Sequence, residues 1–367
     1  MTDAPDARRP AEQVASRGAT SHSAASPEDK GPEAAARAAL LRFGVVDATL
    51  TRITVGLINQ TWRVDTADGP FVLQRVNPIF GPAVHRDIEA ITARLAAHGV
   101  LTPRLVRTTD DALCAETAHG VYRLMTYIDG EVVSELTSPT RVASMARLVA
   151  RFHAALDGFA HTFAFTRPGP HDTPRHLAFL EATLRECAEH PQFGRVRPVA
   201  EAILAHGREL PALGQLPRRI IHGDLKITNL MFRHGTDDAL AILDLDTMAH
   251  DTLAAEMGDA LRSWCNPAGE SEERAELDMA LYRAAVDAYV DESGPLLRDE
   301  ERAALPAGLE TIALELASRF CADALRESYF GWDATRFTTR TEHNLVRARS
   351  QLSLAASVRG RLRDTAD

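Results

Sequence analysis

Residues 219–233 read Arg-Ile-Ile-His-Gly-Asp-Leu-Lys-Ile-Thr-Asn-Leu-Met-Phe-Arg, and a second apolar run further on ends in Asp244-Leu245-Asp246. A carboxylate beside a hydroxyl can take its proton, while an Asn and an Asp are hard oxygen donors suited to Mg²⁺. A nearby cation can meet the charge of a phosphoryl group in transit. Together these are the parts needed to move a phosphoryl group from ATP to an alcohol. In that scheme Asp224 is the base, Asn229 and Asp244 hold the metal, and Lys226 neutralises the transferring group. His222 braces the loop through hydrogen bonds rather than reacting. Asp246 has three readings: a second metal ligand, a contact to the substrate, or a cap on a strand end. A hairpin tipped with solvated polar residues would explain a lone His-x-Asp. It does not explain His-Gly-Asp-x-x-x-x-Asn followed by an apolar strand ending in Asp-x-Asp.

Such residues converge only if the chain folds back on itself. The apolar pair Ile220-Ile221 is a short strand that delivers His222-Gly223-Asp224. Residues 230–232 and 239–243 form a hairpin turned through 234–238, with Asp224, Asn229 and Asp244 at its ends. Upstream, strands are expected at 51–55, 61–66 and 70–77, a helix at 84–98, and further strands at 105–108, 113–117 and 121–128. The turn around Gly56, Asn59 and Thr61 is either an ordinary hairpin or a cover whose backbone N–H groups hold nucleotide phosphates. Strand alternation puts Gln74 and Arg75 on opposite faces. Arg75 therefore either faces the nucleotide in place of a strand lysine or is a surface charge; Asp87 or Glu89 of the helix could pair with it. Thr126 and Ile128 lie where the chain crosses between its halves, with backbone groups available to adenine. Beyond Gly130, helical spacing marks 140–157, 174–190, 196–206, 272–290, 299–327 and 342–358. The fold class is α+β and two-lobed: a strand-rich lobe over 33–128 and a larger helical lobe over 129–367. Residues 1–32 hold no aromatic side chain and are read as a disordered tail.

Composition sets the outer bounds. The 367 residues carry 41 Lys+Arg against 51 Asp+Glu, a net charge of −10, which argues against a nucleic-acid partner. Cys114, Cys187, Cys265 and Cys321 are scattered and suggest neither a zinc site nor a disulfide framework. No run of about 18 apolar residues suggests a membrane span, and the N-terminus lacks signal-peptide order. The expected setting is cytoplasmic and the expected partners are ATP and a small molecule, with the chain a monomer or weak homodimer.

Over residues 48–358 these motifs resemble the aminoglycoside phosphotransferase/choline kinase superfamily. The resemblance implies a kinase-like fold with ATP and Mg²⁺ between two lobes, Asp224 as base and Asn229 and Asp244 as metal ligands. Within it the chain looks most like bacterial N-acetylhexosamine 1-kinases. That likeness rests on Gly56-Leu-Ile-Asn-Gln-Thr-Trp62, Leu73-Gln-Arg-Val-Asn77, His171-Asp-Thr-Pro174, Ile242-Leu-Asp-Leu-Asp-Thr247, Gly258-Asp-Ala-Leu-Arg262, and the C-terminal segments 314–320, 329–330 and 342–349. It implies that Arg319 and Tyr329 contact a sugar; on residue type alone, Arg319 reads as an ion-pair residue. The chain departs from that subgroup in having His-Gly-Asp where it has His-Asn-Asp. The implied activity is ATP-dependent phosphorylation of an N-acetylhexosamine or related sugar at its anomeric hydroxyl. Alternatives are an aminoglycoside or an amino-alcohol (choline- or homoserine-like) as acceptor, or a nucleotide-binding protein without catalysis.

Overall fold

The computed structural model describes residues 30–53, 59–166, 171–213 and 215–363. Its first region is an antiparallel sheet backed by helices. After α1 (Lys30–Leu40) come β1 (Thr49–Ile53), β2 (Gln60–Thr66), β3 (Gly69–Arg75), α2 (Val84–Ala97), β4 (Leu105–Val106), β5 (Ala115–Thr117) and β6 (Gly120–Thr126). Strands run in the order β1-β2-β3-β6-β4, with β5 also on β6. Alternation gives the sheet two different faces. Trp62, Val64, Leu73, Tyr122 and Leu124 bury against Ala36, Ala39 and Leu40 of α1. The opposite face carries Thr61, Gln74 and Arg123 in register.

The chain leaves this sheet after Thr126 and at once joins the second region through β7 (Glu131–Val132), which pairs with β9. Gly130 is required at the crossing: a Cβ there would lie 2.7 Å from the Phe232 carbonyl oxygen. The second region comprises α3 (Pro139–Leu156), α4 (Thr173–Glu186), α5 (Phe193–Gly207), β8 (Arg219–Ile221), β9 (Leu230–Phe232), β10 (Ala239–Ile242), β11 (Ala249–Asp251), α6 (Leu253–Trp264), α7 (Met279–Ser293), α8 (Asp299–Arg326) and α9 (Arg340–Val358). Ser138, Asp172, Thr252, Asp278 and Thr339 cap the N-termini of α3, α4, α6, α7 and α9 with their side chains, satisfying amides that have no intrahelical acceptor. The two-lobed α+β architecture is as the sequence indicates.

Several elements differ from expectation. The helix expected from 272 starts at Met279, where Asp278 caps it. Helix α6 was not foreseen, although Glu256, Asp259 and Arg262 recur in it at helical spacing; that polar stripe is buried, as is every residue of the helix except Ser263. The strand β11 was also missed; it pairs antiparallel with β8. Residues 30–32, assigned to the tail, lie in α1, and the rest of that tail falls outside the described residues. No helix among the described residues is long and apolar enough to cross a membrane.

Helices α6 and α8 touch backbone to backbone. A Cβ on Gly308 would sit 2.1 Å from the Ala254 carbonyl oxygen, and one on Gly258 would sit 2.6 Å from that of Gly308. Neither helix can yield without moving what it carries. Gly308→Ala should therefore cost at least about 2 kcal/mol in urea unfolding. Gly194→Ala, in α5 with open space around it, should be neutral or stabilising by up to about 1 kcal/mol. Equal midpoints for the two variants would contradict the contact.

Candidate active site

The loop between β8 and β9 has no strand partner, so its amides must find acceptors elsewhere. Glu256, fully buried in the first turn of α6, accepts from the backbone N–H of His222 at 2.7 Å and of Gly223 at 2.9 Å. Its other partner is His153 of α3, Nε2 at 3.3 Å, which in turn meets the Tyr289 hydroxyl at 2.8 Å. Burial opposes ionisation of Glu256, but the hydrogen bond from His153 and those of the loop hold it below the usual carboxylate range. Gly223 has φ +77°, and a Cβ on it would meet the Thr247 carbonyl oxygen at 2.6 Å, so the His-Gly-Asp form is a steric requirement here. His222 donates from Nε2 to the Leu243 carbonyl at 2.8 Å and accepts from the Asp224 N–H on Nδ1 at 3.3 Å. That is the bracing role expected of it.

Asp224 receives two side-chain donors on the same oxygen, Oδ2: Lys226 Nζ at 2.5 Å and Asn229 Nδ2 at 3.1 Å. Asn229 Nδ2 also bonds the Asp224 carbonyl at 2.7 Å, which leaves Asn229 Oδ1 as the atom offered to a cation. Burial disfavours the ammonium of Lys226, yet Asp224 keeps it charged beyond the ordinary lysine range. The Leu243 N–H bonds the Asn229 carbonyl at 2.8 Å and so draws Asp244 beside Asn229. Asp244 itself is held in the left-handed region, φ 62° and ψ 63°, a conformation that a non-glycine residue adopts only under constraint. Burial, with Asp246 and then Asp224 adding repulsion, pushes its carboxyl up to about 6.

This donor set suits Mg²⁺. Among the described residues no three or more His, Cys, Asp or Glu side chains form a ready-made cage. Mg²⁺ needs none, since it takes one or two protein oxygens and fills its shell with phosphate and water. The buried carboxyl of Asp244, crowded by Asp246 and Asp224, is one that a cation would let ionise.

On the strand side the structure corrects the sequence reading. Arg75 does not face this centre; it lies on the α1 side of the sheet, its Nε over Gly120. Asp87 and Glu89 do not pair with it. Asp87 accepts from His161 Nε2 and the N–H groups of Ala164 and Phe165 at 2.8–2.9 Å, and Glu89 pairs with Arg107 at 3.1 Å. The cation on the inner face is Arg123 of β6. Its guanidinium grips both oxygens of Asp246, the longer bond being 2.9 Å, and the Gln74 amide oxygen at 2.6 and 2.8 Å. Gln74 donates to Thr61 Oγ1 at 3.2 Å. Asn59 donates to Asp246 Oδ2 at 2.9 Å and accepts from the Asn77 N–H at 2.9 Å. Asp246 is thus bound within the protein on both oxygens, a role none of its three expected readings included. Burial would raise its carboxyl, but Arg123 holds it below the usual range. Gly56 lies outside the described residues. Thr126 accepts from the Arg104 N–H on its hydroxyl at 3.0 Å, and Ile128 lies in the crossing that follows.

Near Lys226 lies Asp259 of α6, with His171 from the turn before α4 and Glu315 of α8 next in line. Asp259 Oδ1 accepts from Arg262 at 2.7 and 3.0 Å, whereas its buried Oδ2 has no hydrogen-bond partner. His171 Nδ1 lies 3.4 Å from Glu315 Oε1, and Glu315 also accepts from Thr173 Oγ1 at 2.7 Å. Burial opposes protonation of His171, yet the Glu315 hydrogen bond and charge raise it above the ordinary imidazole range. Further along α8, the Arg319 guanidinium sits 5.8 Å from the Tyr329 ring and 5.6 Å from that of Phe330. Asp323 fixes this turn by accepting from the N–H groups of Ser328, Tyr329 and Phe330 at 2.8–2.9 Å.

Sequence reasoning overlooked Arg123, Glu256 and His153. Each left a trace: a lone charged or imidazole side chain inside an otherwise apolar run, as in Val121-Tyr-Arg-Leu-Met125 and Leu253-Ala-Ala-Glu-Met257. A charge is buried there only with a partner.

The model of the phosphotransferase enzyme family matches residues 49–294. A homoserine kinase of Gluconacetobacter diazotrophicus is 28% identical over 289 residues, 78% of this chain and 84% of its own. Among solved structures, a microcompartment-associated aminopropanol kinase superposes with a TM-score of 0.60 at 17% identity, covering 88% of this chain and 96% of that one. An amicoumacin kinase in complex with AMP-PNP, Ca²⁺ and Ami gives 0.58 at 14% identity, covering 89% and 93%. These structures share the kinase-like fold. The closer likeness to N-acetylhexosamine kinases finds no support in the curated relative.

His85 of α2 supplies a pH test of the inner face. It is buried, with Nδ1 bonded to the Pro82 carbonyl at 2.9 Å. Burial, and then Arg123, depress it from 6.5 to about 4. Below the higher value the unfolded chain takes a proton that the native state refuses, so native stability falls as pH falls from 6.5 towards 4. His85→Gln removes this term. Its loss of unfolding free energy between pH 7 and 5 should be about 2 kcal/mol smaller than that of the parent. An unchanged loss would show that His85 is not held neutral.

Proposed function

The chain belongs to the phosphotransferase enzyme family and is a small-molecule kinase; on that premise we propose that Asp224, Asn229 and Asp244 carry ATP- and Mg²⁺-dependent phosphorylation of an amino-alcohol hydroxyl. The observation that carries the chemistry is Asp224 Oδ2, held by Lys226 at 2.5 Å and Asn229 at 3.1 Å. Both donors fix its plane, leaving Oδ1 for the acceptor hydroxyl. Asp224 takes the hydroxyl proton as the acceptor oxygen bonds to the γ-phosphorus and the bond to the β–γ bridging oxygen breaks; ADP departs and the proton passes to water. Lys226 faces the charge developing on the transferred group. Mg²⁺ on Asn229 Oδ1 and Asp244 would neutralise the β- and γ-phosphate oxygens.

The acceptor reading rests on side chains of α6 and α8. Asp259 Oδ2 is a buried acceptor without a donor, and an unsatisfied carboxylate oxygen favours a ligand with N–H groups. An ammonium supplies them; a neutral sugar does so less well. The names of the relatives, homoserine kinase and aminopropanol kinase, agree with this reading. Arg319 beside the half-exposed Tyr329 favours the sugar reading instead, since a donor fork and a phenol suit hydroxyl and acetamido groups.

Asp224→Asn should lower kcat by about 10²–10⁴-fold with the KM for ATP little changed; full turnover would reject the assignment. A coupled ADP-release screen over amino alcohols, hydroxy amino acids, aminoglycosides and N-acetylhexosamines tests the acceptor. Asp259→Asn should raise KM for the amino-alcohol acceptor at least about tenfold and leave that for ATP unchanged. Turnover with N-acetylhexosamines alone, together with a selective KM effect of Arg319→Ala, would overturn the amino-alcohol reading in favour of the sugar.

A further inference from the structure

We propose that Arg123 is a positioning residue: from β6 it clamps the strand-rich lobe onto Asp246 and so sets the placement of Asp244 for the metal-bound nucleotide. The inference rests on Asp244 being a metal ligand, as argued above.

The geometry is specific. Arg123 is only 2% exposed, and a guanidinium so buried must have partners for its donors. It finds them in Asp246, gripped through both terminal nitrogens, and in Gln74. Asn59 closes the same carboxylate from the start of β2. Arg123 of β6 and Asn59 of the turn before β2 thus converge on one side chain of the other lobe, with Gln74 of β3 holding the guanidinium. Two carboxylate–guanidinium bonds define a plane and an angle as well as a distance. No carboxylate of α2 competes: Asp87 and Glu89 are engaged elsewhere, and α2 offers the neutral His85 nearby.

What the clamp holds is short. Asp246 lies in a single turn, 245–247, two residues after the strained Asp244. On its other side Thr247 donates to the His222 carbonyl at 2.9 Å. The Asp246 carboxylate is thus the point through which the sheet reaches both the metal ligand and the catalytic loop. Arg123 need not touch phosphate to act there.

The test separates positioning from simple stability and from direct phosphate binding. Arg123→Lys keeps the charge but loses the two-point grip. We expect kcat to fall about 10–100-fold, and the Mg²⁺ concentration for half-maximal ADP affinity, measured by calorimetry, to rise about tenfold. Acceptor KM and metal-free ADP affinity should stay within about twofold. Asp246→Asn should shift the Mg²⁺ dependence in the same way. A fall in metal-free ADP affinity would mean that Arg123 binds phosphate itself. An Mg²⁺ shift in Asp246→Asn alone would make Asp246 a ligand. Unchanged Mg²⁺ dependence in both would reduce the pair to a structural contact. Each of these overturns the proposal. Should Arg123→Lys fail to fold, Gln74→Leu leaves both charges in place and should shift the Mg²⁺ dependence in the same direction, about threefold; no shift overturns the proposal. Failure of the underlying reading looks different: Asp244→Ala in the parent background would then leave the Mg²⁺ dependence of ADP binding intact.

Discussion

The catalytic loop depends on one buried acceptor. A turn that must expose Asp224 cannot also spend its backbone on a sheet, so the amides of His222 and Gly223 need an oxygen, and Glu256 is there. A carboxylate in the first turn of a helix also meets the positive end of the helix dipole. The loop, α6 and α3 are consequently joined through Glu256 and His153. Two more bonds complete the seat: Trp264 Nε1 to the Leu225 carbonyl at 2.8 Å, and the Ile227 N–H to Ser263 Oγ at 3.0 Å. Helix α6 is therefore the anvil of the site, and its near-total burial follows from that duty.

Electrostatics divides the centre into two halves. Around Asp224, Lys226 and Asn229 both donate to one carboxylate oxygen. Around Asp244 the balance is reversed: burial and neighbouring acids press the carboxyl towards its neutral form. A base must be ready before its substrate arrives. A metal ligand need be ionised only when its cation is present. The neighbouring Asp246 avoids the same fate because Arg123 answers its charge.

How much of this was legible follows from how local each signal is. The spacing Asp224, Lys226, Asn229 sits within one loop, and a single short hairpin brings Asp244 to it. The elements involved are adjacent in sequence, and their convergence could be read there. The α+β order of strands and then helices was legible for the same reason. Arg123 and Glu256 were not, because their meaning lies in partners 123 and 34 positions away, and no periodicity reports such distances. Arg75 misled because basic residue type at the expected strand position was visible, while the face it occupies depends on register. Helix α6 was passed over although its polar stripe, Glu256, Asp259 and Arg262, has helical spacing; that stripe faces the interior rather than solvent. Asp246 kept three readings in the sequence because nothing local to a strand-end carboxylate reports its partner Arg123 across the lobes.

The glycine contact between α6 and α8 has a consequence at the other end of α8. Gly308, Glu315 and Arg319 lie along one face of α8, so the helix that locks α6 in place also carries side chains proposed to meet the acceptor. The end nearest Gly308 is fixed by backbone contact and can accept almost no substitution. From Arg319 onward, the helix and the turn tied by Asp323 meet the rest of the protein through side chains. One rigid rod thus joins a root held by backbone contact to a far end held by buried side chains. A shift of the root relative to α6 would therefore carry Glu315 and Arg319 with it.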